Sequence, residues 1–137
     1  MANGSNGPLP LIGRILVSVI FIASGFGKLA AFNMMVGMLA AKGFPAPAVA
    51  LGIAAAVEIF GGLALLLGFH TRVAAWVLFL FLIPTTLAFH NFWALSGMEK
   101  MDNQAHFFKN VAIMGGLIFL AAFGAGAYSI DNKRAAA

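Results

Sequence analysis

The chain has 137 residues, 62% of them hydrophobic and 9% charged, with sixteen glycines and no cysteine. A soluble domain carries charge on roughly a quarter of its residues, so this composition belongs to an integral membrane protein, and the missing cysteine excludes disulfides, thiol catalysis and thiolate metal sites. The net charge of +4 comes from basic residues scattered along the chain, without the clustered stripe that phosphate binding requires, so nucleic acid is set aside as a partner.

A spanning helix needs about 20 predominantly apolar residues to cross about 30 Å of hydrocarbon, and four segments reach that length. The first runs from about Leu11 to Phe32. The opening MANGSNGPLPLIG has no basic leader region, and the apolar run beyond Arg14 continues without a small-x-small cleavage site, which predicts a retained helix rather than a cleaved signal. Arg14 at its head is expected to anchor at the interface. The linker NMMVGMLAAKGFPAP predicts a brief interfacial helix, broken by Gly43, Pro45 and Pro47. The second span, about Pro47 to Gly68, leads through the tight hairpin GFHTR, whose Arg72 reads as another anchor, into the third, about Val73 to Trp93. Pro84 predicts a kink there, with Thr85 and Thr86 placed to re-satisfy the freed backbone. The most polar loop, ALSGMEKMDNQ, precedes the fourth span, about Ala105 to Ala127.

These segments predict an all-α fold, an integral membrane four-helix bundle with short connections, forming a single membrane domain over 1–137. Small residues four apart let helix backbones approach closely, and Ala23 with Gly27, Ala64 with Gly68, Ala112 with Gly116 and Ala122 with Gly126 offer such pairs. An even number of spans puts both termini on one side. The slight excess of Arg72, Lys133 and Arg134 over Lys42 and Lys100 predicts cytoplasmic termini.

The polar residues inside the spans are the candidate functional ones. At 1.5 Å per residue, Lys28 and Lys109 lie roughly 6 Å below one surface, His90 and Asn91 end the third span at that surface, and Glu58 lies roughly 16 Å deep, near the midplane. His106 and Asn110 flank Lys109 at helical spacing. An isolated charge at such a depth costs at least about 2.5 kcal/mol, so such residues normally face the bundle and pair. Lys28 and Lys109 are the natural partners of Glu58, and at least two of His106, Lys109 and Asn110 are expected to meet Lys28, His90 or Glu58 in one polar pocket. The competing arrangement has the lysines snorkelling to headgroups and Glu58 protonated. No metal is expected, because His90, His106 and Glu58 lack any tight ligand spacing and neighbouring lysines repel a cation. Phe26, Phe60, Phe89, Phe92, Trp93, Phe107 and Phe108 are candidates to line an apolar pocket.

Six stretches in order carry a family resemblance: SGFGKL with Lys28, KGFPAP, A-x-x-EIFGGL around Glu58, TRVAA, HNFW and QAHFFKNVAIMGGL. Together with Arg14 they resemble the DoxX family of small bacterial membrane proteins. The resemblance implies a four-helix protein of the bacterial inner (plasma) membrane, often redox-associated. The family takes its name from a subunit of a thiosulfate:quinone oxidoreductase, and related families assist amine dehydrogenase maturation and disulfide handling. The absence of cysteine argues against thiol exchange here.

Two classes of function follow. In the first, the chain is an accessory or redox-associated subunit that binds a quinone or similar lipophilic ligand, with His90, His106 or Lys109 donating hydrogen bonds and Glu58 accepting or relaying a proton. In the second, it is a non-catalytic scaffold or partner-docking subunit of a membrane redox complex, or a homo-oligomer. A small transporter ranks below both, because four short spans show no broken pair of helices or inverted repeat. Whether the chain is an enzyme is not decided by its sequence.

Overall fold

In the computed structural model residues 7–137 are described; the first six, part of the stretch inspected for a leader, lie outside the described residues. These residues form α1 (Leu9–Ala30), α2 (Phe32–Ala41), α3 (Pro47–Leu67), α4 (Thr71–Phe89), a 3-10 turn (Phe92–Ala94), α5 (Gly97–Phe123) and α6 (Ile130–Ala135), with no strand among them. Four stretches are long and apolar enough to cross a membrane: Leu9–Ala30, Pro47–Leu67, Thr71–Ala94 and Gly97–Phe123. Their outer faces carry exposed Leu16, Val19, Ile53, Phe60, Leu80 and Phe119, as lipid-facing helices require. The protein is an all-α bundle of four apolar helices.

Local sequence sets the breaks. Pro47 opens α3 at its first turn, where a missing N–H is harmless. At the other end Gly68 adopts φ +65°, and the Gly68 and Phe69 N–H groups donate back to Leu65 and Ala64 in a Schellman closure. In α4 the Thr85 hydroxyl donates to the Phe81 carbonyl at 2.8 Å, one turn back and next to Pro84. Thr86 is used otherwise, accepting 3.0 Å from Asn110 Nδ2 of α5. The polar stretch read as a loop before the last span is helical from Gly97 onward, so α5 begins well ahead of Ala105.

Helix packing is uneven. α1 lies mainly on α3 and α4 on α5, α3 joins the two pairs through α4, and α1 barely touches α5. The α1–α3 pair is drawn together by Gly25 and Gly62. A Cβ on Gly25 would stand 2.6 Å from Ile59 Cγ1 and 3.1 Å from the Ala55 carbonyl, and one on Gly62 would stand 2.8 Å from Ile22 Cγ1. Of the spaced pairs expected to do this, that of Ala64 with Gly68 has its glycine tightly packed, against the Arg14 side chain of α1, whereas Gly27 and Gly116 are not. A Cβ on Gly27 would meet nothing within 4 Å, and one on Gly116 would make only an ordinary 3.7 Å contact with Val17. What matters is the face a glycine occupies rather than its distance to the next small residue.

The apolar core, Phe21, Leu65, Ala74, Ala75, Leu78, Leu82, Leu117 and Ala121, fills the half of the bundle nearer the termini. That half is closed by Arg14, which is fully buried. Sequence placed Arg14 at the interface as an anchor; instead it turns inward. Its Nη1 donates at 3.4 Å to the Leu65 and Leu66 carbonyls, and its Nη2 at 2.9 Å to Tyr128. A guanidinium against the last turn of α3 meets carbonyls with a lone pair to spare, that of Leu65 also accepting from the Gly68 N–H, and the negative end of the helix dipole. The chain end then folds over it. The Asp131 carboxylate accepts from the His70 and Thr71 N–H groups at 2.8 and 2.9 Å, so it caps the start of α4 from a distant part of the chain.

Two predictions follow from this packing. Gly25→Leu should destabilise the bundle in thermal unfolding in mild detergent by about 2 kcal/mol or more through overpacking, while Gly27→Leu stays within about 0.5 kcal/mol; equal effects would contradict the assigned faces. Asp131→Ala should cost about 1 kcal/mol, the loss of a cap. Burial raises the Asp131 carboxyl, but the Thr71 and His70 donors and the charge of His70 lower it further, leaving it below its ordinary 3.8. With the folded value depressed, the stabilisation is full above about pH 4 and is lost as pH falls through that folded value. The wild type should therefore lose its advantage over Asp131→Ala only in strong acid.

Candidate functional site

The opposite half of the bundle is hollow. Because α1 and α5 scarcely meet there, a cavity of about 520 Å³ lies between the two helix pairs, with α2 across one side. Its volume is within the range of small-molecule sites. Ile20, Phe21, Leu82 and Ile113 form its apolar floor, and Met35, Met38, Leu39 and Phe44 come from α2 and the turn that follows it.

One wall carries a charged triad. Lys28 Nζ stands 2.7 Å from Glu58 Oε2, with side chains 15% and 6% exposed. Ser24, one turn before Lys28, accepts from its Nζ at 2.9 Å and donates to Glu58 Oε1 at 3.1 Å. Each member thus holds the other two. The local cause lies in α1 and α3: Ser24 and Lys28 share a face at i and i+4, and Gly25 beside them lets α3 approach closely enough for Glu58 to reach across. All three side chains line the cavity. The carboxylate and ammonium are therefore neutralised inside the membrane without leaving the cavity wall, which is the condition under which an ion pair persists there.

A second polar group sits where α4 ends and α5 begins. His90 and His106 stack with ring centres 5.1 Å apart. Asn103 Nδ2 donates to the Glu99 carbonyl at 3.0 Å, which turns its Oδ1 toward His90 Nδ1 at 3.2 Å, so that Nδ1 of His90 bears the proton. The Lys109 ammonium donates to His106 Nδ1 at 2.8 Å, leaving the proton of His106 on Nε2, 3.7 Å from Asp102. His90 and Lys109 line the cavity; His106 does not.

By their direct contacts the sequence-derived candidates divide into three groups. Lys28 and Glu58 meet each other, His106 meets His90, and Asn110 turns to Thr86. Lys109 is exposed, and its hydrogen bond goes to its own helix, not to Glu58. Five of the six, Lys28, Glu58, His90, Lys109 and Asn110, nevertheless face the same cavity. The aromatic lining differs from expectation. Of the seven named, Phe89 alone lines the cavity, whereas Phe26 and Phe60 face outward and Phe92, Trp93, Phe107 and Phe108 pack on one another at the end of the bundle. Phe21, Phe44 and Phe81 take that role instead. Ser24 and Lys42 are the residues sequence reasoning passed over. The i, i+4 spacing of Ser24 to Lys28 was the available signal for the first, and the place of Lys42 at the end of a short interfacial helix for the second.

Four apolar spans around an ion pair buried between the first and third helices, with a cavity beside it, define a small polytopic membrane protein. The chain belongs to the DoxX family, whose model matches residues 9–91. It is 37% identical over 125 residues to the inner membrane protein YphA of Escherichia coli (strain K12), covering 91% of this chain and 89% of that protein. It is 38% identical over 122 residues to the inner membrane protein YqjF of the same organism, covering 89% and 88%. The ER-derived vesicles protein ERV29 of Saccharomyces cerevisiae is 26% identical over 130 residues, which are 95% of this chain and 35% of that protein. None of the solved structures matches the chain. The family match takes in Ser24, Lys28 and Glu58 and ends just after His90, so α5 with Lys109 lies outside it.

Removing one member of a buried pair strands the other, at about 3 kcal/mol or more. Lys28→Met should therefore lower the unfolding temperature in detergent markedly, and Lys28→Met combined with Glu58→Gln should recover most of that loss. A double variant as unstable as the sum of the two singles would show that the pair is not coupled.

Proposed function

We propose that this DoxX-family protein is a multi-pass protein of the bacterial inner membrane, with cytoplasmic termini, that acts as an accessory, redox-associated subunit by holding a lipophilic small molecule in the cavity. The inner-membrane placement follows its likeness to the inner membrane proteins YphA and YqjF. The observation that carries the ligand reading is the Ser24–Lys28–Glu58 triad on the wall of a roomy apolar cavity. Replacing a buried ion pair by apolar side chains of similar volume is often neutral or stabilising, so packing alone gives little reason for charge at this depth. A lipophile with oxygen atoms gives one. The Lys28 ammonium can donate to a ligand oxygen and the Glu58 carboxylate can accept from a ligand hydroxyl, while Phe81 and Phe89 offer flat apolar walls. A quinone is the neutral member of this class, and its two carbonyl oxygens suit one donor at Lys28 and a second near His90 or Lys109.

The test is purification in mild detergent followed by mass spectrometry of extracted small molecules. Wild type should retain a lipophilic species at near-stoichiometric level. Ala54→Phe, which fills the cavity from α3 one turn from Glu58 and removes no member of the triad, should lose it, and Glu58→Gln should change its amount while the fold persists. Wild type and Ala54→Phe preparations with the same small-molecule content would refute the ligand reading and leave the scaffold role.

A further inference from the structure

We propose that the ligand of this cavity is an anionic amphiphile, an acidic oxygen head group on a single apolar chain; this rests on the reading that the cavity holds a lipophile. Four ionisable side chains other than histidine line the cavity, Lys28, Lys42, Lys109 and Glu58. Glu58 is consumed by Lys28 at 2.7 Å. Among the described residues no carboxylate lies within ion-pair distance of Lys42 or Lys109, so the cavity faces two uncompensated positive charges.

Neutral partners position both cations. Lys42 Nζ stands 5.9 Å from the centre of the Phe89 ring, itself stacked on Phe44 at 5.5 Å. Lys109 Nζ is held at 2.8 Å by His106 Nδ1. Neither partner removes charge. Lys42 ends α2 and Lys109 lies on α5, so the two come from unconnected helices to the one cavity, and both are exposed, which marks its mouth. The floor, at Ile20, Phe21, Leu82 and Ile113, is apolar and near mid-bundle. A cationic mouth above an apolar floor has the polarity of a single-chain acid lying with its head at the interface and its tail inward. Two exposed apolar lining residues, Met38 and Pro84, give the tail a side entrance from the lipid. A neutral quinone would occupy the same space and leave both cations without a counter-charge.

The experiment is direct binding of tritiated palmitate to the delipidated full-length protein in non-ionic detergent, with palmitate, hexadecyl phosphate, methyl palmitate and a short-chain ubiquinone as competitors. At least one of the two acids should compete about tenfold better than the ester and the quinone, the difference expected from charge-assisted hydrogen bonds. Which acid does so separates a carboxylate from a phosphate head group. In the Lys42→Gln, Lys109→Gln double variant that preference should fall to about twofold or less, while cavity-filling Ala54→Phe should abolish specific binding. Equal competition by the ester or the quinone overturns the anionic assignment and leaves a neutral ligand in place. Palmitate binding that ignores both sets of substitutions is partitioning into detergent and overturns the assignment too. No specific binding by any probe, with nothing retained on purification, removes the ligand reading itself.

Discussion

A carboxylate near the middle of a bilayer must be neutralised, and the way this chain neutralises Glu58 organises half of the molecule. The partner is Lys28 at 2.7 Å, and the contact exists because α1 and α3 run close enough for Gly25 to lie against the Ala55 and Ile59 backbone. A side chain at Gly25 would part the helices, and a parted pair would strand two charges in hydrocarbon. Helix packing and electrostatics are thus one constraint here. Ser24 adds a third member that accepts from Lys28 and donates to Glu58, so the ammonium and the carboxylate are each held by two partners. Such a network is stiff, and it presents a preformed polar surface to the cavity.

The two ends of the bundle handle positive charge in opposite ways. At the end near the termini Arg14 is sealed in, its charge spread over main-chain carbonyls of α3 and Tyr128, and the chain end is latched across it by Asp131. Arginine suits that task because its planar fork can meet several carbonyls at once. At the other end lysines are used, and they remain at the margin of an open space. Lysine carries its charge as a compact point on a flexible stem, which leaves Lys42 and Lys109 able to reach an oxygen that is not part of the protein. The first end is built as a closed structural lock and the second as a lined space.

Sequence reading captured the terms of this arrangement better than its partners. Spanning segments were legible because apolar length alone defines them, and the Lys28–Glu58 pair was legible because depth along two helices can be counted from their ends. Arg14 was not. Its inward turn depends on carbonyls at the end of α3 and on a chain end that folds back from beyond residue 127, neither of which leaves a trace in the local pattern around Arg14. The close helix approach was sought in spaced pairs of small residues, yet Gly25 and Gly62 act against bulky Ile59 and Ile22, so the fit is glycine to isoleucine rather than small to small. The start of α5 was hidden by its polarity. Residues 97–104 are solvated and helical at once, and hydropathy records only the first property.

His90 and Lys109 show how the hollow half is tied to the water beyond it. His90 touches the cavity with one face and His106 with the other, and His106 takes the Lys109 proton donor on Nδ1 while its Nε2 points to Asp102. The early start of α5 makes this possible, since Asn103 and Asp102 stand on its polar first turns and can still reach the two imidazoles. A loop at 97–104 would not fix them. The helical extension therefore does for the mouth of the cavity what Gly25 does for its wall: it fixes polar side chains in place by backbone geometry. Since α5 meets α1 only thinly while α2 crosses the other side, the cavity stays open between these two rigid supports.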